Sequence, residues 1–477
     1  MYVTLRITNR QLFIDGASRK LLRAVDKATR YAIAGAQFAP AFRSKRWDGM
    51  EHLLRFSAKQ GYHMPSGLVV DVIRVLKHRR QPYIIKDETV VRHERRAIQW
   101  NKAIVLRDYQ HAAVRAAFAP PLPGMAILKM PIRSGKTKTG ARIIQKLGLP
   151  TLFVVPSQML LGQTVAALQE ALPGIKIGQI GDGQNEIGFV TVATIQSLQR
   201  RYKSRASKSS TWKAFVKSFD LLIVDEAHHF GGNSSWHSVI YQIDAKYKIA
   251  LSATVFLKNE SQIELGVIWI MGIFGPVRID VNTSSLVEQG YLMRQNVEMH
   301  HIAKPNLDGQ RWSQTLLKAG ITNNVFRNKK IASLAESEVA LGRKVLIIAN
   351  RIEHIGQIVD ELETLGLDCR VITGADNSES REDKVEAFKN GVVSILVGTV
   401  LSEGVDLPSV ETVINAEGGK SDIKTIQRQR NLTIAHGKTK SVMIDFFDDT
   451  NSYFRKHSQA RLDAYSSEPA FVVNVIR

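Results

Sequence analysis

The sequence predicts an α/β protein: two tandem parallel-sheet domains preceded by a small basic α+β domain. Three observations carry that reading. Beyond about residue 104, apolar runs of four to eight residues alternate with helical patterns, the rhythm of βαβ units. That rhythm breaks near residue 281 and resumes after about 325, which makes two domains. The first hundred residues follow neither pattern, and their 20 Lys and Arg against 8 Asp and Glu give +12 of the chain's +21.

The elements follow in order. In the first hundred residues YVTLRIT, LVVDVIRVL and PYIIKD are separated by basic clusters at Arg43-Ser-Lys45-Arg46, Lys77-His-Arg79-Arg80 and Arg92-His-Glu-Arg95-Arg96. MAILKM then reads as a strand before a helix starting near Lys136. TLFVVP precedes the helical MLLGQTVAALQEAL, and FVTVAT precedes IQSLQRRYK; the strands LLIVDEA and YKIALSAT come next. NTSSLVEQGY is rich in turn-forming residues and places the link near Val281–Tyr291. In the second domain RKVLIIAN is a strand and HIGQIVDELETLG a helix with a glycine stop. DCRVITG, SILVGT, TVINAE and SVMIDF are further strands. The expected boundaries are 1–100, 101–282 and 283–455, with 456–477 as a C-terminal tail.

Composition narrows the function classes. At about 100–200 residues per domain, 477 residues make two to four domains. Apolar residues at 44% and charged residues at 23% describe a folded globular chain. The one cysteine, Cys369, excludes an intrachain disulfide and cysteine-ligated zinc or iron–sulfur clusters, and fits a reducing, cytoplasmic compartment. MYVTLRITNR lacks the apolar run of a signal peptide. The most apolar stretch, Ile263–Val277, is too short and too interrupted by Glu264, Pro276 and glycines to span a bilayer, so no membrane partner is expected. A pI near 9.9 points to nucleic acid, against the plainer reading of a merely basic soluble protein.

Met130–Thr137, MPIRSGKT, lies between a strand and a helix, the setting of a phosphate-binding loop. Backbone N–H groups of Pro131-Ile132-Arg133-Ser134-Gly135 and the helix N-terminus that follows, with Lys138 in its first turn, suit phosphate. Lys136 reaches the β/γ-phosphates of ATP and the Thr137 hydroxyl holds Mg²⁺. Met130 stands where the pattern GxxxxGK[ST] has glycine. In LLIVDEAHH, a buried strand Leu221–Val224 delivers Asp225 and Glu226 to its C-terminal end, where open α/β sheets bind ligands. Asp225 is read as the Mg²⁺ residue and Glu226 as the group that orients the attacking water. The plain alternative is an acidic loop after a core strand, with His228 and His229 as structural histidines.

These motifs resemble superfamily 2 helicases and translocases over about residues 104–450. Leu106–Gln110, LRDYQ, looks like the adenine-side motif, with Gln110 reading the base beside Arg107. Met130–Thr137 looks like motif I, although many of these helicases carry glycine at the position of Arg133. Val154–Gln163 looks like motif Ia, and Val192–Leu198 like the next nucleic-acid motif. Asp225–His228 is DEAH, Leu251–Thr254 the motif III sequence LSAT, and Val345–Ile355 resembles motif IV. Val397–Pro408 is a good motif V, with Gly404 and Asp406 on the nucleotide. The resemblance implies two RecA-like domains, ATP and Mg²⁺, and stepwise movement along one strand. It places Pro156, Ser157, Gln163, Thr194 and Thr399 on that strand, mostly at phosphate and sugar. The basic run from Arg200 to Lys208 is a further candidate, equally readable as a solvated loop. Motif VI departs from the family's QxxGRxxR: QRQRNLT, Gln427–Thr433, has no glycine. A one-residue deletion makes Arg430 the finger that reaches the γ-phosphate, with Gln427 and Arg428 beside it; Arg428 and Asn431 are the alternatives.

Phe38–Leu54, FAPAFRSKRWDGMEHLL, with GYHMPSGLVVDVI after it, is similar to the N-terminal domain of phage UvsW-type helicases, to which the bacterial enzyme RecG is related. That resemblance implies a monomer that migrates junctions and regresses forks of branched DNA, in a host cytoplasm if the chain is phage-encoded. Arg43, Lys45 and Arg46 then contact phosphate, and Trp47 either stacks on a base or fills a core. The rivals are a DEAH-type RNA helicase, the motor subunit of a restriction complex, and a binding protein with a decayed ATPase.

Overall fold

A computed structural model describes residues 2–33, 35–120, 122–203, 210–228, 234–253, 265–399, 407, 409–419, 438 and 440–477. The chain forms two compact units, one of Met1–Pro131 with Gly135–Val281 and one of Asn282–Arg477 with Ile132–Ser134.

The first ninety residues build a mixed five-stranded sheet in the order Arg55–Ser57, Gly61–Pro65, Gln11–Asp15, Val3–Ile7, Tyr83–Asp87. Along Val3–Ile7 every second residue is buried, the period of a strand with one face on a core. Helix Arg19–Thr29 starts where the Ser18 hydroxyl accepts the N–H of Leu21, and it turns Leu21, Leu22 and Val25 inward. Helix Val69–His78 buries Val69, Val72, Ile73 and Leu76 beside them. This is the α+β character expected of the segment.

This layer is seated on the next one by the most apolar stretch of the chain. Helix Leu265–Phe274 is apolar all round, which requires partners on every side. Ile268 and Trp269 join the core of the N-terminal sheet. Ile270, Ile273 and Phe274 join the core that holds Ile127, Leu222 and Val224 of the neighbouring parallel sheet. The approach is close enough that a Cβ at Gly67 would lie 2.3 Å from the carbonyl oxygen of Met271, so only glycine fits there. A buried polar seam completes the joint. Asp220 accepts the backbone N–H groups of Arg92 and His93 at 3.0 and 2.9 Å, and the Asn9 amide reaches the carbonyls of Val90 and Asp244, both at 3.0 Å. The buried ammonium of Lys248 donates to the Asn9 carbonyl, and burial, with Arg10 nearby, brings it down to about 7.

The first parallel sheet runs Gln184–Asn185, Ile177–Gly181, Val190–Thr194, Thr151–Val155, Leu221–Val224, Tyr247–Ser252, Met125–Lys129, Val277–Asp280. Every pairing is parallel except that of the outermost strand, Gln184–Asn185. The second unit holds a seven-stranded, all-parallel sheet: Cys369–Ile372, Ile395–Gly398, Val345–Ile348, Thr412–Asn415, Val442–Asp448, Gln295–Ile302, Phe471–Ile476. Both are the βαβ sheets the alternating pattern predicts. The stretch expected as a plain link contains a helix, Thr283–Glu288, capped by the Asn282 side chain.

One expectation is corrected. Residues 456–477 are not a tail. They carry most of helix Ser452–Ser466 and the edge strand Phe471–Ile476, which pairs with Gln295–Ile302 in the register Gln295↔Phe471. Among the described residues no helix is long and apolar enough to cross a membrane.

Candidate functional site

The P-loop joins the end of strand Met125–Lys129 to helix Lys136–Leu147. Its N-cap, Gly135, has φ +76, and Arg133 has φ +66. Arg133 therefore occupies a left-handed conformation that costs a glycine nothing, which explains why glycine suits the position. Pro131 and Ser134 are buried, while Ile132, Arg133 and Thr137 are partly exposed and Lys138 is exposed. The DEAH strand Leu221–Val224 lies two places away in the sheet, with the motif III strand Tyr247–Ser252 between them. All three end on the same edge because they are parallel, and this brings their C-terminal residues together.

Lys136 Nζ lies 3.0 Å from Glu226 Oε1, both largely buried. Glu226 is the second non-glycine residue of this edge in the left-handed region, at φ +47. Strain of this kind persists only where surrounding structure holds it, and such positions cluster at functional sites. Asp225 is 4% exposed, and its Oδ1 accepts the N–H of Glu226 at 2.9 Å. Burial first, then the charge of Glu226, lifts its carboxyl to about 7, while Lys136 pulls it back. A buried carboxylate held so far from its ordinary range suits a divalent cation. Among the described residues no cluster of three or more His, Cys, Asp or Glu could hold a metal by itself. Asp225 and Thr137 are the residues that would hold a Mg²⁺, whose other ligands would come from phosphate and water.

Gln110 meets this loop directly. Its Oε1 accepts the N–H of Arg107 at 2.8 Å, capping helix Asp108–Ala116, and its Nε2 donates to the Gly135 carbonyl at 3.4 Å. His228 joins motif II to motif III: its Nδ1 lies 2.9 Å from the Ser252 hydroxyl and 3.4 Å from Glu226 Oε2. Ser252 had no separate role in the sequence reading, because nothing in LSAT states which residue faces the DEAH loop.

The residues expected on nucleic acid divide. Gln163 is exposed. The Ser157 hydroxyl caps helix Gln158–Ala171 by accepting the Leu160 N–H at 3.3 Å. Pro156 is buried, with its carbonyl accepting Gln196 Nε2 at 2.6 Å. Thr194 is 2% exposed, and its hydroxyl donates to Ser197 Oγ at 2.9 Å. The side chains of Pro156 and Thr194 thus shape the ends of their strands instead of facing outward, because a residue at a strand–helix corner is consumed in making the corner. Thr399 follows strand Ile395–Gly398, and its N–H donates to the Ile372 carbonyl at 3.2 Å. In the basic run, Arg201 is a tether, 3.1 Å from Asn185 Oδ1 and packed over the ring of Phe215. Arg43, Lys45 and Arg46 are exposed, and Trp47 is half-buried, with its indole N–H donating to the Met50 carbonyl at 2.8 Å. His229, Thr254, Gly404, Asp406, Gln427, Arg428 and Arg430 lie outside the described residues.

In the second unit, strand Thr412–Asn415 leads into Ala416–Gly419, and buried arginines hold that backbone. Arg327 donates to the Ala416 carbonyl at 2.8 Å and pairs with Asp448 at 2.8 Å. Arg461 donates to the Gly419 carbonyl at 2.7 Å and pairs with Asp445 at 3.1 Å. Arg461, in the stretch expected as a tail, thus anchors the Gly419 carbonyl, a role with no local signature.

A strand–loop–helix phosphate site with a lysine–glutamate pair, followed by a second parallel sheet, defines a nucleotide-driven motor. Two families match the chain: Type III restriction enzyme, res subunit, over residues 103–257, and Helicase conserved C-terminal domain, over residues 328–430. The ATP-dependent DNA helicase uvsW of Enterobacteria phage T4 is 24% identical over 485 residues, 91% of each chain. The DNA 3'-5' helicase XPB of Mycobacterium tuberculosis is 24% identical over 322 residues, 66% of this chain and 55% of that one. This chain thus spans about half the length of that relative. Of solved structures, the ATP-dependent type ISP restriction-modification enzyme LlaBIII bound to DNA shares the fold, with a TM-score of 0.59 at 15% identity over 85% of this chain and 36% of that one. The chain belongs to the superfamily 2 helicases, enzymes driven by ATP hydrolysis.

Proposed function

We propose that this helicase acts on DNA and that its substrates are branched: forks and junctions that it unwinds, migrates or regresses. The observation that carries the ATP half is the Lys136–Glu226 pair at 3.0 Å beside buried Asp225, on a strand–loop–helix edge. Lys136 binds the β/γ-phosphates and Glu226 orients the attacking water. Asp225 and Thr137 would hold a Mg²⁺, whose chemistry would be to neutralise phosphate charge. Gln110 with Arg107 serves the adenine side, and Gly404 and Asp406 of motif V are assigned to nucleotide binding. Arg430, flanked by Gln427 and Arg428, supplies the cation for the transition state.

The DNA half is supported by the relative from phage T4, named as a DNA helicase and matched over 91% of each chain, and by the charge of the first hundred residues. Phosphate neutralisation gives sequence-independent, salt-sensitive affinity. In this reading Gln163 and Thr399 contact the tracked strand, and Arg43, Lys45 and Arg46 contact phosphates near the branch. A monomer working in the cytoplasm fits this reading. The test is the ATPase rate at fixed salt with single-stranded, linear duplex, forked and four-way DNA, beside RNA. Forked or four-way DNA should stimulate most. Equal or greater stimulation by RNA would replace the reading with an RNA helicase.

A further inference from the structure

We propose that residues 35–49 form a nucleic-acid-binding arm whose exposed rings, Phe38 and Phe42, stack on unpaired bases at a DNA branch point. This rests on the DNA reading above and adds the residues that recognise the branch.

The arm is defined by its base. Arg30–Ala32 pairs antiparallel with Met50–His52, and the Ile33 N–H extends the ladder to the Gly49 carbonyl at 2.8 Å. The chain leaves and returns at one place, and the residues between form a tip of two short turns, Ala36–Phe38 and Pro40–Arg43. The tip is tied internally: the N–H groups of Arg46 and Trp47 both donate to the Ala41 carbonyl, at 2.9 and 3.2 Å. Its root is fastened by His52, whose ring nitrogens lie 2.8 Å from Asp26 on helix Arg19–Thr29 and 2.9 Å from Asp48. Trp47 belongs to this framework and not to the contact surface, because its indole N–H is spent on Met50.

The tip itself presents apolar rings and positive charge to solvent. Phe38 is 70% exposed and Phe42 37%. Phe42 packs one edge toward the Gly49 turn, where a Cβ would lie 2.9 Å from its ring. Residues 35–47 contain Arg43, Lys45 and Arg46 and no acidic residue. Among the described residues none of these three cations lies within ion-pair distance of a carboxylate. Exposed rings beside uncompensated cations match a strand with unpaired bases: cations take phosphate, and a phenyl ring stacks on any base without reading sequence. A duplex keeps its bases stacked on each other, so only a branch or a single strand offers faces to these rings.

The experiment compares the full chain with Phe38→Ala/Phe42→Ala. The readouts are ATPase on linear single-stranded DNA, competition between forked and linear DNA at equal length and salt, and fluorescence of 2-aminopurine at the branch. The double variant should keep its single-strand ATPase within about twofold, lose roughly tenfold in fork preference and no longer quench the probe, the scale expected for losing stacked bases. Circular dichroism checks folding, which exposed side chains should not disturb. A wild-type chain without fork preference would sink the branched-DNA reading. A wild-type preference that the double variant retains, with quenching intact, overturns the arm. Full rescue by Phe38→Leu/Phe42→Leu also overturns it, since leucine restores apolar surface for a protein partner or a second copy but offers no ring to a base.

Discussion

Two aspartates, both buried in parallel sheets, meet opposite surroundings. Asp225 at the end of Leu221–Val224 is lifted to about 7 by burial and by the charge of Glu226, with Lys136 opposing. Around Asp445 in the second sheet burial pushes upward too, but Arg461, Asn415, the Phe446 N–H and Tyr465 together bring it below its ordinary value. The second carboxylate is completed by its own fold. The first is left electrostatically short, the state of a group whose partners arrive with a ligand. One buried carboxylate is held charged by its neighbours and the other is pushed toward its neutral form.

The largest effect that tests this contrast is expected from Lys136→Ala. It removes the cation that pairs with Glu226 and acts on Asp225, and ATP hydrolysis should be abolished while DNA binding, measured by fluorescence anisotropy, persists. Substantial turnover would mean that Lys136 is not the phosphate lysine.

Asp445→Asn and Asp225→Asn sharpen the comparison directly. The first leaves Arg461 only the more distant Asp448, 3.6 Å away, and should cost about 3 kcal/mol in denaturant unfolding, the scale for breaking a buried pair. The second removes an ill-solvated charge and should leave stability unchanged or raised while hydrolysis is lost. Equal destabilisation by both would erase the distinction. The pH dependence has a sign as well. A carboxyl raised in the fold binds its proton more tightly there than in the unfolded chain, so nucleotide-free stability should fall as pH rises from about 4 toward about 7. Asp225→Asn should flatten that slope.

Glu226→Gln should bind ATP but hydrolyse it about two orders of magnitude or more slowly, the scale of a positioned acid–base group. Lost nucleotide binding would reassign it from water to phosphate or metal.

The smallest effect concerns the root of the basic arm. The hydrogen bond to Asp26 is the main reason that His52 is raised above its usual 6.5. A histidine raised in the fold contributes stability that is full below 6.5 and is lost as pH climbs through the raised value. Protection factors near the root, with the intrinsic pH dependence of exchange divided out, should therefore fall modestly across that window, and His52→Ala should remove that fall. No change in wild type would show that the histidine does not fasten the arm.

The sequence by itself determined the two parallel sheets and the order of the phosphate site. Each motif sits on one strand and the corner after it, and chain geometry sends parallel strand ends to one edge. Lys136, Asp225 and Glu226 were legible for that reason, and Arg133 was legible as a departure whose meaning, a left-handed backbone, needed its φ angle. Tertiary structure alone decided the contacts between strands. Gln110 with Gly135, and His228 with Ser252, are pairs of distant residues that no local pattern joins. The same holds for Thr194, whose burial follows from the helix it caps, and for the final strand Phe471–Ile476, whose partner Gln295–Ile302 lies on the far side of the whole second sheet in sequence. It also decided that the basic first layer shares a core with the motor, because an apolar helix, Leu265–Phe274, shows its need for partners in its composition but shows which partners only when the chain is packed.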